Sequence, residues 1–139
     1  MVMNKLILIL ILIIPPIVAI HSSPLGKYLW KNRVIVTFSP SKNNTKRRQF
    51  LNSIKKNLCE FNSRNIIHID LLFNNKNKEI EELKKNFDNL SLSPSEFRLI
   101  LIGKDGELKL NSRKASLEKI FTLIDKMPMR KEEIINDKC

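Results

Sequence analysis

The chain has 139 residues, with 25 Lys and Arg against 14 Asp and Glu, for a formal net charge of +11. That length is one ordinary domain, and the basic excess attracts anionic surfaces without choosing among them. Two histidines and two cysteines, Cys59 and Cys139, exclude a metal site of usual ligand spacing, and no CxxC pair is present.

Met1–Lys5 precedes an apolar run from Leu6 to Ile20 that contains Pro15-Pro16. The run is shorter than the roughly 20 residues a membrane-spanning helix needs, and its prolines interrupt helix. A basic start, an apolar core and the small polar end His21-Ser22-Ser23 read as a signal peptide over 1–23. The expected product is exported, periplasmic or secreted; the alternative is a chain tethered to the membrane by an uncleaved signal. Removing the signal leaves about 116 residues and a charge of about +10. The expected organisation is a domain over 24–133 and a flexible tail over 134–139.

Tyr28, Leu29 and Trp30 are expected to pack on a sheet edge. Arg33–Phe38 is a β-branched apolar run, read as a strand buried on both faces and closed by Ser39-Pro40-Ser41. Lys42–Phe61 reads as one helix with Leu51, Ile54, Leu58 and Phe61 along one stripe and Cys59 at its flank. Arg64–Phe73 reads as a second strand, Asn74–Asn77 as a turn, and Lys78–Asn89 as a helix presenting Ile80, Leu83, Phe87 and Leu90. Phe97–Ile102 is a third strand, the turn Gly103-Lys104-Asp105-Gly106 makes a hairpin, and Glu107–Leu110 is a fourth. Ser116 caps a last helix with Leu117, Ile120, Phe121, Ile124 and Met127 on its apolar face, ended by Pro128. The order β-α-β-α-β-β-α predicts an α/β, thioredoxin-like fold: a mixed four-stranded sheet with helices on both faces.

Three stretches carry a resemblance. They are Tyr28-Leu-Trp-Lys-Asn-Arg33 running into Val34–Pro40, Leu101-Ile-Gly-Lys-Asp-Gly106 with Lys109, and Ile124-Asp-Lys-Met-Pro-Met-Arg130. Together they resemble the domain of unknown function family 4174, found in exported bacterial proteins and in animal extracellular proteins with sushi repeats. The resemblance implies a thioredoxin-like fold distantly similar to peroxiredoxins, and export; it implies no established activity. Asn111 departs from the basic residue expected in relatives.

In a thioredoxin-like fold the redox thiol sits where the first strand meets the first helix, whose N-terminus lowers the thiol pKa. Here that corner reads Ser39-Pro-Ser-Lys-Asn-Asn-Thr-Lys-Arg47 and holds no cysteine. Its candidate binding residues are Ser41, Lys42, Thr45, Lys46, Arg47 and Arg48, with Arg98 reaching in from the third strand. They suit an anionic ligand or an acidic protein. No aromatics interleave with these charges, so no nucleic acid is expected. His68 and Asp70 share a strand face by period two and are either a proton-transfer pair or a structural polar pair.

The expectation is therefore a non-catalytic binding module without metal or cofactor. The alternative is a divergent peroxiredoxin-like thiol oxidoreductase using Cys59. A disulfide within the chain and a dimer linked through Cys139 are both open.

Overall fold

The structure is a computed structural model that describes residues 25–73, 78–87, 90–137 and 139. The signal-peptide region 1–23 and the expected turn at 74–77 lie outside the described residues. Four strands build the sheet: β1 (Arg33–Ser39), β2 (Ile66–Leu72), β3 (Arg98–Ile102) and β4 (Leu108–Ser112). Their spatial order is β2-β1-β3-β4, with β1 parallel to β2, antiparallel to β3, and β3 antiparallel to β4. The mixed thioredoxin-like sheet is thus present.

The two central strands are buried at every position, as continuous apolar runs require. Alternation then divides them between two cores. Ile35, Leu99 and Leu101 face one side with Phe50, Phe61, Ile120 and Ile124. Val34, Val36, Phe38, Ile100 and Ile102 face the other with Ile80 and Leu83. Helices α1 (Thr45–Lys56), α2 (Leu58–Ser63) and α4 (Leu117–Asp125) thereby cover the first face, and α3 (Lys78–Asn86) covers the second.

The expected single helix over 42–61 is two helices that start later. Asn57 leaves helical geometry at φ −125°, ψ 38°, and its side-chain amide donates to the Ser53 carbonyl at 2.8 Å. The break shifts the helical phase beyond it, so Leu58, expected on the apolar stripe, is 52% exposed; within α1 the fully buried residue is Phe50. Ser116 caps α4 as expected, accepting from the Lys119 N–H. Pro128 does more than end that helix: it opens α5 (Pro128–Glu133), where its missing N–H costs nothing. Tyr28 packs on the sheet, but Leu29 and Trp30 do not: they are 42% and 63% exposed.

The expected flexible tail at 134–139 is instead tied down. Ile134–Asn136 forms a turn of 3-10 helix, the Asp137 carboxylate accepts from Arg130, and Cys139 is bonded to Cys59.

Candidate functional site

Strand β1 leaves the sheet at Ser39 and the chain turns through 40–44 into α1. Asn44 is the N-cap; its side chain accepts from the Arg47 N–H at 3.1 Å. Beneath the first turn of α1 lies a polar chain. The Thr37 hydroxyl donates to Asp70 Oδ1 at 3.0 Å and sits 2.9 Å from His68 Nε2. A carboxylate only accepts, so the single hydroxyl proton points to Asp70 and His68 Nε2–H donates to Thr37, leaving Nδ1 unprotonated in the neutral ring. Arg47 closes the chain with Nε at 2.8 Å and Nη2 at 2.6 Å from Asp70 Oδ2.

His68 and Asp70 are therefore coupled through Thr37, which sequence reading did not single out. Thr37 lies opposite Asp70 in the parallel register, a pairing visible only once the strands are aligned. Burial pushes the His68 pKa below its usual value; Asp70 pulls it up and Arg47 pushes it down again. The ring also meets Phe50 edge-on, with centroids 5.4 Å apart. Neutral and packed against apolar surface, His68 is held as part of the fold.

The sequence-derived binding residues separate into three groups. Ser41, Lys42, Thr45, Lys46 and Arg48 are exposed around the start of α1, with Lys46 Nζ donating to the Arg113 carbonyl at 3.1 Å. Arg47 is at the corner, but its charge is taken by Asp70 and its Nη1 donates to the Lys42 carbonyl. Arg98 is not at this site. It pairs in register with Phe38, on the face covered by α3, and donates to Asn111 Oδ1 at 3.2 Å and the Ser91 carbonyl at 3.1 Å. Asn111 supplies an acceptor where a basic residue would repel Arg98.

Both cysteines lie near the other end of β1. Cys59, in the first turn of α2, is disulfide-bonded to Cys139 with Cα atoms 5.8 Å apart. Of the two pairings left open by the sequence, the structure holds the one within the chain, where Cys59 engages the Cys139 sulfur. It also means that Cys59, the candidate redox thiol, is held as an exposed disulfide and not as a free thiol.

Beside it is a buried ionic network that sequence reading missed. Arg33, 1% exposed, donates to Glu133 at 3.0 Å and 3.4 Å and to the Arg64 carbonyl at 2.8 Å. Lys104 Nζ is 2.6 Å from the same Glu133. Arg64 grips Asp125 with two donors, at 3.0 Å and 2.7 Å, and reaches Glu60 at 2.6 Å. Arg130, also 1% exposed, binds Asp125, Asp137 and the Ser63 carbonyl. Burial alone would raise the Glu133 pKa, but hydrogen bonds from Arg33 and Lys104 outweigh it and hold the carboxyl below its usual value. For Asp125, hydrogen bonds and charge from Arg64 and Arg130 likewise outweigh burial.

This network explains the sequence signature. Arg33 comes from the first stretch, Lys104 from the Gly-Lys-Asp-Gly turn and Arg130 from Met-Pro-Met-Arg. The first two stretches also join directly, the Trp30 N–H donating to the Lys104 carbonyl at 2.7 Å. Arg33, Lys104 and Arg130, one from each stretch, meet through Glu133 at the pole away from the strand-exit corner, while Val34–Pro40 of the first stretch runs on to that corner. Among the described residues no group of three or more His, Cys, Asp or Glu could hold a metal ion.

The sheet and its helices place the molecule among the thioredoxin-fold proteins, with peroxiredoxin structures as neighbours. The reduced 2-Cys peroxiredoxin of Plasmodium vivax is similar at a TM-score of 0.56 and 15% identity, over 78% of this chain and 84% of that one. Thioredoxin peroxidase I of Plasmodium yoelii is similar at 0.54 and 16%, over 83% and 82%. Plasmodium yoelii Prx1a, modified at its N-terminus and described as an artifactual octamer, is similar at 0.54 and 19%, over 83% of each chain. At these identities the likeness is one of fold. The chain itself belongs to the family described as Domain of unknown function (DUF4174), whose model matches residues 24–133.

Proposed function

We propose that this is an exported, non-catalytic binding module that takes an anionic group at the strand-exit corner. One observation carries the reading. The corner where this fold ordinarily keeps a reactive thiol has none; Thr37, His68, Asp70 and Arg47 hydrogen-bond to one another there, while the buried Ser39 hydroxyl has no side-chain partner. What faces solvent is a ring of cations, Lys42, Lys46 and Arg48, with the hydroxyls of Ser41 and Thr45 beside the first turn of α1. Helix-terminal N–H groups, hydroxyls and cations suit a carboxylate, sulfate or phosphate ester on a polysaccharide or an acidic protein.

Export is supported by the signal-like N-terminal sequence and by the disulfide, which persists in oxidising compartments. Intact mass of the natural product tests it: loss of residues 1–23 supports processing, and a full-length mass returns the tethered alternative.

The binding reading is tested by titrating a sulfated polysaccharide at low and high salt, with Lys42→Ala/Arg48→Ala as the control. Binding unaffected by both substitutions sinks it. A second reading, thiol oxidoreduction through Cys59, draws on the exposed disulfide. Peroxide or disulfide turnover lost in Cys59→Ser would establish it in place of the first.

A further inference from the structure

The turn that leads into β1 presents Lys27, Leu29, Trp30 and Lys31 to solvent. Trp30 is 63% exposed and sits at φ 62°, the left-handed region that favours glycine or asparagine. Holding a bulky residue there strains the backbone, and a mostly exposed indole returns little of that through burial. The backbone, pinned by the Trp30 N–H to the Lys104 carbonyl at 2.7 Å, would accept glycine at lower cost. Leu29 is 42% exposed on the same turn, at the rim of an apolar groove of about 280 Å³ bounded by Tyr28, Val34, Phe87 and Ile102.

We propose that this turn is a lipid-facing surface that rests on an anionic bilayer, with Trp30 and Leu29 entering the headgroup boundary and Lys27 and Lys31 contacting anionic headgroups. Its composition selects a bilayer over a protein partner. An aromatic and an aliphatic residue flanked by lysines match the interfacial layer, where amphipathic rings sit and each lysine gains from surface charge. The net charge of +11 adds long-range attraction of the same sign. In the sequence, the apolar run Leu6–Ile20 ends six positions before Gly26, where the turn begins. This surface is separate from the strand-exit corner and stands whether or not the corner binds an anion.

Trp30 is the only tryptophan, so its fluorescence reports on the proposed surface alone. The full chain is incorporated into vesicles of phosphatidylcholine, or of phosphatidylcholine with about 30% phosphatidylglycerol, the anionic component that attracts interfacial lysines. Whatever the apolar run does is common to both, and substitutions in the turn separate its contribution from the attraction of the whole +11 chain. The expected result is blue-shifted emission and shielding from acrylamide on the anionic vesicles only. Shielding should weaken about fivefold per lysine in Lys27→Ser and Lys31→Ser, and also in Leu29→Ser, which keeps the charges. Circular dichroism confirms that these exposed substitutions leave the fold intact. A Trp30 equally open to acrylamide on both vesicles overturns the proposal. So does equal shielding on both, or shielding that rises with protein concentration without lipid, which would assign the turn to a second copy of the chain.

Discussion

The two ends of β1, about 20 Å apart at the rise of a strand, differ in what holds them. At the exit end, a neutral His68, a Thr37 hydroxyl and one ion pair complete a short hydrogen-bonded chain, and the surface above it is open and cationic. At the entry end, Arg33, Arg64, Lys104 and Arg130 share Glu60, Asp125, Glu133 and Asp137, and a disulfide closes over them. Arg33, Lys104 and Arg130, one from each stretch that carries the resemblance, lie at the second end, where they close the chain.

Breaking the entry end should cost most. The disulfide joins residues 80 apart, and loop entropy on that scale is worth about 4 kcal/mol. Cys59→Ser should lower unfolding stability by about that much in urea titration. A loss under about 1 kcal/mol would show the tail held by its ion pairs alone. Glu133→Ala should follow at about 3 kcal/mol, because it strands Arg33 and Lys104 in buried positions. Glu133→Gln, which keeps an acceptor, should recover part of the loss; equal losses would make the charge irrelevant.

The two ends should also separate by pH. His68 titrates in the unfolded chain near 6.5 and lower in the folded one. As pH falls past 6.5 the unfolded state binds the proton first, so the contribution of the exit end falls until pH passes below the folded value. Asp125 and Glu133 are held below their ordinary values of 3.8 and 4.5. Their contribution is intact above those values and is lost as pH falls through the folded ones. Amide exchange between pH 7 and 5 should loosen Ile66–Leu72 and the first turn of α1 while α5 stays protected. Simultaneous loosening would join the two ends into one unit.

The strands were legible in the sequence because Val34–Phe38 is β-branched and apolar apart from Thr37, and Leu99–Ile102 is an unbroken apolar run. That same property hid the side on which Arg98 lies: with both faces buried, no period-two contrast reveals which residues share one. The helix break at Asn57 has no signal beyond a residue that also tolerates helix. The ionic network is invisible locally, since Arg33 meets Glu133 a hundred positions away, and lysines and arginines are so common here that buried ones look like the rest. The missing thiol, by contrast, could be read without coordinates, because only the order of strand and helix was needed.

The smallest expected effect on stability is at the corner surface, and there the comparison is sharpest. Lys42→Ala/Arg48→Ala removes two exposed charges on one side of a helix start and should change stability by less than about 0.5 kcal/mol. If the corner binds an anion, the same pair should lower affinity for a sulfated polysaccharide by about tenfold at low salt, in line with about 1 kcal/mol or less per exposed charge. Arg47→Ala makes the discriminating control. Its guanidinium is spent on Asp70, so its loss should reduce stability by about 1–2 kcal/mol and leave Asp70 as an unpaired negative charge beside the binding surface. A ligand that contacts Arg47 directly would instead lose affinity in Arg47→Ala/Asp70→Asn as well, where that repulsion is gone. Affinity restored in that double variant would assign binding to Lys42, Lys46 and Arg48, and Arg47 to the fold.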